Sequence, residues 1–317
     1  MAADGARHTA FTTFAAVLLV AVGSSWSAEP VPRERILDAI REGCDRIMAT
    51  QRDDGALVLD ERRFGGTGYY VYPIGTVALG VLALQHALPH LDGERSARAR
   101  ETIRKAIAWL CQAPLDQKTY STGLLIYVLY KDDPRKHRKL IGQLAYMLVV
   151  SQHQSGRDIG YWGYDLYPPP GITPLPGKPK PGDRLGRGDH SNTQIAVLGL
   201  LYAQRSGVQI PRRTWELLLK HYIDFQNEDG GWGYGPAGSR EASYANMTLV
   251  NTISAAICQE MLYAGRLREC KPLPEHPTVT KGLKWIADNL DYEPQLLVQK
   301  KMDVGSTVEA LRRSLEV

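Results

Sequence analysis

Few features of this sequence settle a chemistry on their own. Its 317 residues include four cysteines, Cys44, Cys111, Cys258 and Cys270, and no two of them form the close pair that a thiolate metal site needs. Charge of one sign is also scarce, since 38 basic against 34 acidic residues leave a formal net charge of +4. That balance is too mild for a nucleic-acid partner. The one basic cluster, Arg135, Lys136, His137, Arg138 and Lys139, has no interleaved aromatic to stack on a base and reads as the solvated opening of a helix. Long apolar runs are missing as well. None reaches the roughly 18 residues that span a bilayer, because Gly, Gln, Asn or charge interrupts each one. No metal and no cofactor are implied.

At the amino terminus, Arg7 and His8 precede the apolar run Phe11 to Gly23, which the small-residue stretch Ser24 to Ala28 follows. That layout is a secretory signal peptide, so residues 1–28 are expected to be removed on export to the periplasm or the exterior, with a membrane anchor as the alternative. In an oxidising compartment disulfides are permitted. Cys44 and Cys111 lie on apolar helical stripes and are expected in the core.

What the chain does contain is a globular composition, 44% hydrophobic and 23% charged, and an irregular internal repeat. One unit, from Arg33 to about Ala87, has an amphipathic helix, the turn Gln51 to Gly55, a glycine-aromatic loop Gly65 to Tyr70, and an apolar helix from Pro73. Residues 212–264 copy that order with the turn and loop Gln226 to Tyr234. Residues 138–206 copy it again with Gln154, Gly160 to Tyr164 and a helix from Ser191, and residues 100–130 form a compressed copy without the aromatic loop.

The first helix of each pair is apolar on one face, as in Ile36, Leu37, Ile40, Cys44 and Ile47, or Trp215, Leu218, Leu219 and Tyr222. The second helices, Thr76 to Leu84 and Thr193 to Leu201, are apolar nearly all round and must be buried on most sides. Half-buried helices alternating with fully buried ones imply two concentric layers. The expected fold is all-α, an α/α toroid of about five helix pairs over residues 29–292, with a tail at 293–317 where the pattern fades.

Gln226-Asn-Glu-Asp-Gly230-Gly-Trp232 matches Q-x-x-x-G-x-W, and the chain resembles the squalene cyclases and protein prenyltransferases that carry this repeat. Other copies are degenerate: Gln51 to Gly55 has Leu57 in the tryptophan place, and Gln152 to Gly156 has Asp158 there. The resemblance implies a structural role for Gln51, Gly55, Gln226, Gly230 and Trp232. Physical chemistry agrees, since glycine permits the tight turn and the ring covers a helix end while its N–H finds a carbonyl.

The family's chemistry is missing. Protonating an alkene needs an acid of the D-x-D-D kind, and none occurs; Asp53-Asp54 and Asp132-Asp133 are turn formers. There is no D-D-x-x-D for a magnesium diphosphate, no Asp, Cys and His set for zinc, and no C-G-E-Q thioester.

A site in this fold is expected at the mouth of the central cavity. Tyr161, Trp162, Tyr164 and Asp165 precede a proline-rich excursion, Pro168 to Pro181, with Lys178 and Lys180, and the chain re-enters through Asp189, His190, Asn192 and Gln194. An exposed Asp189–His190 pair, with Asp165, would serve as acid-base groups. Alternatively Asp189 caps a helix. Tyr69, Tyr161, Trp162, Tyr164, Asn192, Gln194, Trp232 and Tyr234 are the candidate ligand contacts, for a glycan or an isoprenoid. The reading is thus an exported binding or assembly module, with a protein partner at an open ring edge as a further expectation. The alternative is an enzyme, either a divergent cyclase or a polysaccharide lyase or hydrolase.

Overall fold

The computed structural model describes residues 31–58, 72–171, 173–174, 176–234, 242–265 and 272–289. The expected signal peptide, the Gly65 to Tyr70 loop with Tyr69, Cys270 and the tail at 293–317 lie outside the described residues. Two units divide the chain, Met1–Asp38 and Ala39–Val317. Of the first, the described part is the opening of helix α1 (Arg33–Ala49).

Among the described residues the protein is all-helical, without strands. After α1 come α2 (Pro73–Ala87), a short 3-10 turn at Leu88–His90, α3 (Gly93–Gln112), α4 (Thr119–Asp132), α5 (Arg138–Ser151), α6 (His190–Arg205), α7 (Arg212–Asp224), α8 (Ala245–Leu262) and α9 (Pro277–Asn289). Local chemistry sets these limits. Pro73 opens α2, where its missing N–H costs nothing. Asp92 caps α3 by accepting the Arg95 N–H at 3.0 Å, and that helix buries Ala99, Ile103, Ala106, Ile107 and Leu110 on one face.

The apolar helices form a row, with α2 against α4, α4 against α6 and α6 against α8. Helices α3, α5, α7 and α9 pack onto members of that row. Within it, α4 and α6 touch backbone to backbone: a Cβ on Gly199 would lie 2.8 Å from the Gly123 Cα, and one on Gly123 would strike the Ile195 carbonyl. Helices α2, α4 and α6 start level and run the same way. Gly75, third in α2, abuts Ser121, third in α4, and Tyr120, second in α4, hydrogen-bonds Ser191, second in α6.

Three glutamines bind these layers in one manner. The Gln51 amide Nε2 donates to the Gly55 carbonyl at 3.1 Å and to Thr102 of α3 at 2.9 Å. Gln226 does the same to Gly230 and to Thr278 of α9, both at 2.8 Å. Gln152 donates to Gly160 at 3.2 Å and to Thr214 of α7 at 3.1 Å. Each glycine has positive φ, +95°, +86° and +93° for Gly55, Gly160 and Gly230. A Cβ there would lie 2.6, 2.5 and 2.8 Å from the carbonyl oxygens of Lys105, Leu217 and Lys281, each one turn beyond the helix residue that its glutamine grips. Glycine is therefore required for conformation and for space.

The third turn corrects the sequence spacing. Gln152 pairs with Gly160 rather than Gly156, and Trp162 rather than Asp158 fills the aromatic place, with four extra residues accommodated inside the turn. The Trp162 indole N–H donates to the Leu148 carbonyl at 2.7 Å and that of Trp232 to Tyr222 at 3.2 Å, each four residues before its glutamine. Their backbone N–H groups donate to Thr193 and Thr248 hydroxyls on the row helices, both at 3.1 Å.

Gln152 is 3% exposed, so replacing it with Ala leaves the Gly160 carbonyl without a donor, leaves the Thr214 carbonyl with its helical N–H alone, and opens a gap. Gln152→Ala is expected to lower unfolding free energy by about 2–3 kcal/mol in urea titrations, and Gln51→Ala, at a half-buried turn, by less. Equal losses, or a Gln152→Ala effect under about 0.5 kcal/mol, would show that these bonds are incidental.

Candidate functional site

The starts of α2, α4 and α6 gather their polar groups at one end of the row. Tyr72 precedes α2, Lys118 precedes α4 and Asp189 precedes α6. The loop from Tyr161 to Tyr167 crosses this end, pinned to the approach to α4: the Thr119 N–H donates to the Tyr164 carbonyl at 3.0 Å, and Leu166 donates to Gln117 at 2.9 Å. Gln117 holds the proline-rich excursion too, donating from Nε2 to Leu166 at 2.9 Å and to Pro179 at 3.1 Å.

This pinning brings Asp165 to two lysines. Its Oδ1 lies 2.6 Å from the Lys118 Nζ and 3.4 Å from the Lys178 Nζ. Lys118 also sits 5.6 Å above the Tyr72 ring, within cation-π range. Burial, then the like charge of Lys118, pulls the Lys178 ammonium below its ordinary pKa. Asp116 lies beneath, 7% exposed, and accepts the Ser121 hydroxyl at 2.6 Å and the Lys118 N–H at 3.2 Å. Burial pushes its carboxyl up to about 6, against the pull of those bonds and of both lysines. It is a carboxyl poised to exchange a proton near neutrality.

Beside this charged set stand tyrosines. Burial raises the Tyr120 hydroxyl to about 12, opposed by its bonds with Ser191 and Gln194. Tyr234 is raised by burial and by the nearby charge of Asp189, and it interacts with Tyr164, which is 38% exposed. Tyr72, Tyr120, Tyr164 and Tyr234, with Lys118, Asp165, Lys178 and Gln194, make a half-buried rim of hydroxyls and charge.

The remaining expected site residues lie elsewhere or act otherwise. Asp189 is the cap of α6: its Oδ1 accepts the Asn192 N–H at 2.7 Å and its Oδ2 the Asn192 amide at 2.8 Å. Burial still raises its carboxyl. His190 is not exposed, as an acid-base role requires, but 3% accessible. Its Nδ1 donates to the Gly233 carbonyl at 2.8 Å, which leaves the Nε2 lone pair to accept the Tyr161 hydroxyl at 2.5 Å. His221 stands behind, donating from Nδ1 to Ile159 at 3.1 Å, with its Nε2 3.5 Å from that of His190. The expected Asp189–His190 dyad is thus dismantled, because the two side chains serve different partners.

Trp162, Trp232, Tyr161 and Asn192 are fully buried, so as ligand contacts they are corrected to scaffold. His137 of the basic cluster is buried at 7% exposure, whereas Cys111, expected in the core, is exposed. Cys44 is buried as expected, and Cys44, Cys111 and Cys258 are free thiols. Among the described residues no His, Cys, Asp and Glu cluster is placed to hold a metal ion, and no helix is long and apolar enough to cross a membrane.

Sequence reasoning missed Tyr72, Asp116, Lys118, Tyr120 and His221. Asp116 to Tyr120 sits in the copy that has no aromatic loop. Its usable signal was positional, since it precedes a row helix just as Asp189 does. His221 hides beside Tyr222 on an amphipathic helix. No protein-family model matches the chain, and no curated protein matches it.

Burial holds the His190 imidazole at about 4, and His221 well below its ordinary value of 6.5, with the charge of His190 adding to burial. The unfolded chain takes up these protons near 6.5 while the folded one does not, so stability falls as pH drops from 6.5 to 4. Each histidine contributes a slope of about 1.4 kcal/mol per pH unit. Asp116 acts oppositely, gaining its proton first in the folded state, so the comparison must be between variants. In denaturant titrations from pH 7 to 4, wild type is expected to lose stability more steeply than His190→Gln by about that slope. Parallel lines would mean that His190 is solvated.

Proposed function

We propose that this chain is a binding module built as an α/α toroid of the squalene cyclase and prenyltransferase repeat kind, whose ligand seats on the rim where α2, α4 and α6 begin. The fold part of the reading is supported by the three glutamine turns, which repeat one set of contacts from helix pair to helix pair. Export after loss of residues 1–28, and a protein partner at an open ring edge, belong to the same reading.

One observation carries the functional part: two half-buried lysines share one carboxylate oxygen among four tyrosines. An incoming carboxylate can take over one ammonium, and tyrosine faces and hydroxyls suit a sugar ring and its hydroxyl groups. An acidic glycan fits these groups. An isoprenoid fits worse, since Trp162 and Trp232, which would have walled it, are in the core. An enzyme built on the Asp189–His190 pair fits worse too, since His190 is buried.

Asp116 favours a second reading, an enzyme acting on such a glycan. A carboxyl at about 6 beside two ammonium groups is suited to general acid-base work.

Uronate oligosaccharides, neutral oligosaccharides and isoprenoid diphosphates would be compared by thermal shift and calorimetry. A uronate ligand at 100 times its dissociation constant is expected to stabilise the protein by about 2.7 kcal/mol. Tyr164→Ala and Lys178→Ala should abolish that response without moving the melting point of the free protein. A response to isoprenoids alone, or one that survives both substitutions, contradicts the proposal. Loss of uronate by turnover in wild type but not in Asp116→Asn would replace the binding reading with the enzymatic one.

A further inference from the structure

Remote in sequence from the rim groups of α6, the ends of α3, α4 and α5 bring together a thiol, an imidazole and a carboxylate. Cys111, next to last in α3, is exposed, and its Sγ lies 3.8 Å from the His137 Nδ1. The His137 Nε2 lies 2.6 Å from the Oδ2 of Asp132, the last residue of α4. A tight turn fixes this arrangement. The Asp133 side chain accepts the N–H groups of Arg135 at 2.9 Å and Lys136 at 3.1 Å, and the His137 N–H donates to the Asp133 carbonyl at 3.1 Å.

The protonation pattern follows from the partners. A carboxylate on Nε2 keeps the proton there, so Nδ1 presents its lone pair to the thiol. This is a nucleophile beside a base that a third group orients, the arrangement that activates side chains for attack. Burial raises the Cys111 thiol, Lys136 lowers it and Asp132 raises it again, with the net shift upward. The resting group is therefore a thiol, and it becomes a nucleophile only by giving its proton to His137. Cys44 and Cys258, both buried, cannot receive a reagent.

We propose that Cys111 is a reactive thiol that His137 deprotonates and Asp132 positions, and that its partner is a small aliphatic disulfide. Disulfide exchange suits an exposed sulfur, because it requires only in-line approach of one sulfur to another. The Cys111 proton passes to the His137 Nδ1 as the sulfur electron pair attacks one sulfur of the disulfide. The S–S bond breaks, its electron pair leaves on the second sulfur, and that sulfur takes the proton back from His137. The products are a mixed disulfide at Cys111 and one free thiol.

The test treats the full chain with oxidised glutathione from pH 5.5 to 8.5, quenches with acid and measures glutathionylation at each cysteine by peptide mass mapping. At pH 6.5 Cys111 is expected to react at least about tenfold faster in wild type than in His137→Gln. Because His137 is buried at the start of α5, Asp132→Asn is run beside it, with a several-fold loss expected and little change in melting temperature. The proposal is overturned if Cys111 reacts at the same rate in wild type and Asp132→Asn at every pH, or if folded wild type acquires no glutathione at Cys111.

Discussion

A single side-chain amide, used three times, is the constraint on which the rest of this structure depends. Gln51, Gln152 and Gln226 each join the carbonyl of a positive-φ glycine to a carbonyl in the first half of the next packing helix. The helix carbonyl already accepts its own helical N–H, whereas no backbone N–H donates to the turn glycine's carbonyl among the described residues, and leaving such a carbonyl unmet costs about 1–3 kcal/mol. One planar NH2 group meets that carbonyl and the second lone pair of the helix carbonyl, and so fixes the distance between turn and helix. The glycine then lets that helix backbone approach more closely than any Cβ permits. Two of the turns add an indole that donates back to the helix just ended.

With the turns held, each row helix begins at a set height, and the groups at those beginnings become a common surface. Stability and accessibility divide the polar residues there. Asp189 caps α6 through Asn192, and His190, Tyr161 and His221 bond one another and local carbonyls in the interior, so their chemistry is spent on order. Lys118, Lys178, Asp165 and the tyrosines stay partly exposed, with both ammonium groups on the one Asp165 oxygen. The proposed binding site is placed on the second group because its ion pairs can be exchanged for a ligand's, while breaking the first group would leave buried polar atoms unmet.

Much of the helical layout was legible because it follows from periodicity and caps: Arg33, Pro73, Arg212 and the helix near Asn246 all begin within a residue of their expected places. The glutamine turn at Gln226 was legible from its spacing. That at Gln152 was misread because the turn tolerates four extra residues while keeping both anchors, which counting residues cannot reveal. Site residues were less legible. The cap by Asp189 is a local event and could be read, but His190 is buried by a tyrosine 29 positions upstream and a carbonyl 43 positions downstream. Asp116 carries no motif, and its carboxyl is raised only by burial, against the pull of Lys118 and Lys178. Cys111 follows Leu110, the last residue buried on the α3 stripe, and is exposed although the apolar pattern includes it.

The measurement that tests the account most directly is a proton NMR titration of the histidine ring resonances between pH 8 and about 5.5, repeated with ligand at saturation. His190 and His221 are expected to stay neutral across that range, with unchanged shifts when a ligand occupies the rim. A His190 resonance that titrates near 6.5, or that moves on ligand binding, would contradict the account by placing the imidazole in the site rather than in the scaffold.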